Sequence, residues 1–176
     1  MTTSASAGPV ARRRSSVGAY IRLTKPRVIE LLLVTAVPPM ILADQGWPGW
    51  SLVVAVVVGG ALAAGGANTI NCFIERDRDR LMRRTRERPL PQGEVEPTRA
   101  LWFGIILNVV AFALLAAVAN VLAAALTLSA TLFYVFVYTL WLKPRTVQNI
   151  VIGGAAGAVP AVVGWAAVRG SVGLPA

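Results

Sequence analysis

Five long apolar runs separated by polar joints dominate the chain. Each approaches the ~20 residues that carry a helix across a hydrocarbon core. The first covers about residues 28–47 and contains Pro38-Pro39, a pair expected to kink it. The second covers about 50–74 and, unlike the others, passes directly into a strongly polar stretch. Residues 100–142 carry no charge at all. That is twice the spanning length, so two helices are predicted, turning near Asn120. The fifth run, about 147–168, holds Gly153-Gly154, Gly157 and Pro160. The expected fold class is an all-α, polytopic transmembrane helix bundle.

Composition agrees. Of 176 residues, 56% are hydrophobic and 14% charged, where a soluble domain carries roughly a quarter charged residues. The net charge of +9 invites a nucleic-acid reading, but the basic residues cluster between apolar runs. Six precede span 1, eight lie between spans 2 and 3, two between spans 4 and 5, and only Arg169 falls on the other side. This asymmetry places the N-terminus in the cytoplasm and makes a lipid bilayer, not nucleic acid, the partner. Trp50, Trp102, Trp141 and Trp165 fall near span ends, as interfacial anchors do. Residues 1–18 are Ser-, Ala- and Arg-rich without acids and are expected to form a disordered cytoplasmic tail, leaving 19–176 as the folded domain. Arg12-Arg13-Arg14 would also suit a targeting sequence, although Gly8-Pro9 argues against an amphipathic presequence. A bacterial cell membrane is favoured over the mitochondrial inner membrane. The chain has no histidine, which excludes His-ligated metal and His-based acid–base chemistry within it, and one cysteine, which excludes an internal disulfide.

Small residues crowd spans 2 and 5, at Gly59-Gly60, Ala63-Ala64-Gly65-Gly66 and Gly153-Gly154-Ala155-Ala156-Gly157. Close helix packing explains them without any ligand.

Candidate chemistry lies where span 2 turns polar. Asn71, Glu75 and Asp79 are spaced by four, so a continuing helix puts all three on one face. Two carboxylates one turn apart repel, and an amide oxygen with two carboxylates suits a hard cation such as Mg2+ that also holds water and phosphate oxygens. Asp77 is a further candidate ligand, although it lies ~200° around a regular helix from Glu75. The alternative is that Glu75, Asp77 and Asp79 merely pair with Arg76, Arg78 and Arg80 on a solvated helix end. Against it, Asn68 and Asn71 lie inside the apolar span, where an unpaired amide is costly.

The run Arg83-Arg84-Thr85-Arg86-Glu87-Arg88-Pro89 suits polyphosphate oxygens, or equally anionic lipid headgroups. Pro89 and Pro91 are expected to end the helix and stiffen the loop. Thr24-Lys25-Pro26-Arg27 opens span 1, and Tyr138-Thr139 with Lys143 closes span 4. Basic residues at helix ends also snorkel without any ligand. Phe133, Tyr134, Phe136 and Tyr138 form an aromatic cluster able to face a carbocation or simply to pack.

In this order the pieces resemble the UbiA superfamily of intramembrane prenyltransferases, whose first signature is Asn-x-x-x-Asp-x-x-x-Asp. The resemblance covers about residues 23–168. The stretch from Gln148-Asn149 to Gly164-Trp165-Ala166-Ala167-Val168 points to the haem-farnesylating branch. It implies nine transmembrane helices around a cavity, with two acidic motifs facing each other at the cytoplasmic mouth. By the resemblance, Asn71, Glu75 and Asp79 would hold Mg2+ on farnesyl diphosphate. Lys25, Arg27, Arg84 and Arg88 would contact the diphosphate, with Tyr138 and Lys143 close by. A farnesyl cation would be captured by a vinyl group of protohaem IX. Two departures stand out. Glu75 occupies a position where the family pattern has Asp, and the second acidic motif is missing. The expectation is therefore about five spans of nine, the N-terminal part of such an enzyme, inactive alone and needing a C-terminal half, separate if the coding sequence is split. Alternatives are an aromatic-acceptor prenyltransferase of quinone or chlorophyll type, a non-catalytic assembly subunit, or a transporter lined by Asn108, Asn120 and Thr127.

Overall fold

A computed structural model describes residues 16–146 and 148–173, apart from the side chains of 32, 150, 155 and 156. The expected tail and its Arg12-Arg13-Arg14 lie outside these residues up to position 15. Six helices follow in order: α1 (Val17–Thr24), α2 (Pro26–Asp44), α3 (Trp50–Leu81), α4 (Pro97–Val118), α5 (Val121–Leu132), continued as a π-helix over Phe133–Leu142, and α6 (Asn149–Arg169). Five of the resulting helical segments are long and apolar enough to cross a membrane, at the positions the apolar runs mark.

The turn between α4 and α5 falls at Asn120, for a legible reason. Its side chain caps α5 by accepting from the Ala123 backbone N–H at 2.8 Å, while its amide donates to the Ala166 and Ala167 carbonyls of α6. Asn108 and Thr127 are likewise absorbed by the bundle. Asn108 donates to the Gly104 carbonyl and accepts from Thr131, and Thr127 back-bonds to Ala123. These amides tie helices together, which satisfies polar groups that hydrocarbon cannot.

Several particulars differ from the sequence reading. α1 begins at Val17, inside the stretch read as tail, because Ser16 caps it and Ala19 and Leu23 bury fully against Cys72, Leu90, Val95 and Ala100. Tyr20 adds an edge-on ring contact to Phe103. Helix α2 contains Pro38 and Pro39 without ending there, which is compatible with the expected kink. Helix α3 ends at Leu81, well before Pro89. There Met82 turns extended, and the Thr85 hydroxyl donates to the Asp79 carbonyl at 3.1 Å, replacing the helical donor. With 32 residues, α3 is ~48 Å long, so its polar end stands beyond a ~30 Å hydrocarbon core.

The small residues serve more than one purpose. A Cβ at Gly66 would lie 2.6 Å from the Gly104 carbonyl oxygen, and one at Gly59 2.7 Å from Leu115. These close approaches bring α3 against α4. Gly60, Ala63, Ala64, Ala67 and Gly157 line an apolar cavity of about 260 Å³ between α2, α3, α5 and α6, and Gly153 both lines it and admits the Tyr138 ring. Packing alone thus explains only part of the small-residue pattern.

Candidate active site

The long third helix supplies the site's polar face. Asn71, Glu75 and Asp79 are all buried on one side of α3, at 2%, 7% and 3% exposure. Asp77, on the other side, is exposed and lies beside Arg76 and Arg80. The structure thus places Asp77 apart from the buried face, as the ~200° rotation requires.

Each buried acceptor faces a cation from a different element. Lys25 Nζ donates to Asn71 Oδ1 at 3.2 Å. Lys143, just past the π-helix, pairs with Glu75. Arg88, in the loop after α3, donates from Nη1 to Asp79 Oδ2 at 2.7 Å. Three cations thus converge on three acceptors one helical turn apart. Among the described residues no buried side-chain nitrogen or oxygen lacks a partner.

Local structure delivers these cations. Lys25 joins α1 to α2 with φ 56°, a left-handed conformation costing a non-glycine residue roughly 1–2 kcal/mol. The anchored α1 and the N-terminal Pro26 of α2 hold it there. Burial pushes its ammonium below the ordinary lysine range of 10.5. The π-helix puts Thr139 beside Asn71, whose Nδ2 donates to Thr139 Oγ1 at 3.2 Å. Ten residues of π-helix exceed the usual single-turn bulge, a feature frequent at functional sites.

Other predicted residues do not join this cluster. Arg27 and Arg84 are exposed and have no hydrogen-bond or ion-pair partner among the described residues. Tyr138 stacks on Tyr134 with ring centroids 5.3 Å apart and packs where Gly153 has no Cβ. Sequence reasoning missed Thr139 as a partner of Asn71, and it missed α1 as the anchor of Lys25. The Ser16 cap and the Ala19/Leu23 spacing are the signals that would have found α1.

The cavity lining reaches along α3 as far as Asn68, three residues before Asn71. Thr131 and Tyr134 also line it, and Ala36, Val56 and Val163 contribute aliphatic wall. Asn68 itself donates to the Thr24 carbonyl at 3.0 Å. A cluster of charge beside a small-residue apolar chamber suits a ligand with an anionic head and a hydrocarbon tail.

Residues 31–176 match the UbiA prenyltransferase family. The chain belongs to that family. Among similar UbiA-type proteins are the protoheme IX farnesyltransferase of Clavibacter michiganensis subsp. michiganensis, 60% identical over 88% of this chain and 50% of that protein. Protoheme IX farnesyltransferase 1 of Saccharopolyspora erythraea is 59% identical over 98% of this chain and 55% of its own length. A UbiA homolog from Archaeoglobus fulgidus, solved bound to DMAPP and Mg2+, shares the fold with a TM-score of 0.70 and 24% identity. That alignment covers 87% of this chain and 55% of the archaeal one. The chain spans about half the length of the curated relatives it matches. The UbiA fold and the five apolar helices make it an integral membrane protein.

Proposed function

We propose that this chain forms the prenyl-diphosphate-binding part of a protohaem IX farnesyltransferase of a bacterial cell membrane. The observation that carries the reading is the buried Asn71–Glu75–Asp79 face, ringed by Lys25, Arg88 and Lys143, beside an apolar cavity. The two kinds of donor suit a metal–diphosphate pair. An amide oxygen and two carboxylates fit Mg2+, whose remaining ligands come from water and phosphate. Among the described residues no third carboxylate joins them, so the set suits a cation shared with its ligand.

When bound there, Mg2+ would neutralise charge on the leaving diphosphate. The chain's own residues do the rest. Lys25, Arg88 and Lys143 exchange their present acceptors for diphosphate oxygens, and hold the growing negative charge as the C1–O bond of farnesyl diphosphate breaks. The cavity takes the isoprenoid tail and excludes water from the allylic cation. A vinyl carbon of protohaem IX then attacks C1, and water adds to the resulting cation with loss of a proton, giving haem O and diphosphate. Arg27 and Arg84 are left out of this set because they stand exposed.

The test is haem O formation by the reconstituted chain, alone and with the C-terminal half of a curated relative, over a Mg2+ series. Mg2+-dependent turnover that falls at least a hundredfold in Asp79→Asn supports the reading. Unchanged turnover in that variant, or a wild-type chain that binds no farnesyl diphosphate with or without Mg2+, refutes it.

A further inference from the structure

The geometry points to Thr139 as the positioning residue that orients the Asn71 amide, presenting Oδ1 to the mouth and turning Nδ2 away. This deepens the functional reading above and rests on it for its consequence, but not for its geometry. A side-chain amide has an acceptor end and a donor end, and only the oxygen serves a cation. At Asn71 the two ends are told apart by their partners. Lys25 Nζ, which can only donate, lies at Oδ1. Thr139 Oγ1 lies at Nδ2.

A hydroxyl has one proton and can donate or accept, so Thr139 would not by itself select an end. Its proton is already committed. Thr139 Oγ1 donates to the Tyr134 carbonyl at 2.8 Å, five residues back along the π-helix. What remains toward Asn71 is acceptor only, and an acceptor calls for Nδ2. The i to i+5 register of the π-helix therefore sets the amide's orientation on a different helix. Thr139 is 3% exposed, which removes water as a substitute acceptor. The same π-helix ends by placing Lys143 beside Glu75 one turn along α3. Thr139 is not part of the cavity lining. It acts through Asn71.

The test uses Thr139→Val, which keeps shape and removes the acceptor, and Thr139→Ser, which keeps both bonds. The protein is the chain reconstituted in nanodiscs. Lys25 and Lys143 are its only lysines, so amine labelling read by mass spectrometry reports Lys25 with Lys143 as an internal reference. A freed amide loses its hold on Lys25. Labelling of Lys25 relative to Lys143 then rises roughly three- to tenfold in Thr139→Val, the worth of one hydrogen bond. It stays at the wild-type level in Thr139→Ser. In an Asn71→Ala background, Thr139→Val adds nothing, because no amide is left to orient. In parallel, the Mg2+ concentration that half-saturates binding of farnesyl thiodiphosphate, measured calorimetrically, rises by a similar factor in Thr139→Val alone. Wild-type behaviour of Thr139→Val in both readouts overturns the inference, as does equal damage in Thr139→Ser. If the wild-type chain shows no Mg2+-dependent binding, the functional reading fails, and the labelling arm still decides the role of Thr139.

Discussion

Arg88→Met removes the partner of the most deeply buried carboxylate in the site. Asp79 retains only 4% of its side-chain exposure, and Arg88 26%. The contact is a charge-assisted hydrogen bond of 2.7 Å. Breaking a buried pair by deleting one member typically costs 3–5 kcal/mol, mostly through the charge left behind. Arg88 keeps about a quarter of its exposure, so water can reach the orphaned carboxylate, and the expected loss is nearer ~2 kcal/mol. Asp79→Asn in the same chain removes that charge. The double variant should regain about half of the loss, giving a coupling energy of at least ~1 kcal/mol. Unfolding in mixed detergent micelles, followed by tryptophan fluorescence, measures all four proteins. Mg2+ supplies a second readout. In Arg88→Met it should restore stability, by ~2.7 kcal/mol at a hundredfold excess over its dissociation constant, and it should do nothing in the double variant. Additive effects of the two substitutions would refute the pairing. Rescue by Mg2+ in the absence of Asp79 would place the cation elsewhere.

Three further outcomes follow from particular contacts. Gly66→Ala should destabilise the bundle by ~1–3 kcal/mol, because its Cβ meets the Gly104 backbone oxygen at 2.6 Å, whereas Gly154→Ala, with nothing within 4 Å, should be neutral in the same unfolding assay. Ala64→Phe fills the chamber beside Asn68. Calorimetry should then show farnesyl thiodiphosphate losing about tenfold or more in affinity while dimethylallyl thiodiphosphate is little changed, since each buried methylene contributes ~0.8 kcal/mol. Leu23→Ala should cost ~2–5 kcal/mol locally and release α1, seen as proteolysis near Thr24 and a rise in Lys25 labelling.

The membrane fold could be read directly from the chain, because lipid makes the code one-dimensional. A segment must be apolar for about twenty residues and must satisfy its own backbone, so five runs in the sequence are five spans in the structure. Basic residues follow the same logic and predict an orientation. The shared face of Asn71, Glu75 and Asp79 was equally legible, since helical periodicity alone puts positions four apart together.

What surrounds that face was decided elsewhere. Lys25, Arg88 and Lys143 come from three separate parts of the chain, and no local rule brings them to Asn71, Asp79 and Glu75 rather than to Arg27's exposed position. The small residues of α3 were legible as a pattern but not as a division of labour, because whether a missing Cβ admits a neighbour or leaves room depends on what stands opposite. The π-helix and the left-handed Lys25 are states that intrinsic propensity disfavours, held by packing of α1, α3 and α6. Sequence by itself thus determined the five apolar helices and the acceptors that the second of them carries. Only the tertiary structure decided which of the candidate cations meet those acceptors and where the cavity lies, since both arise from contacts between segments distant along the chain.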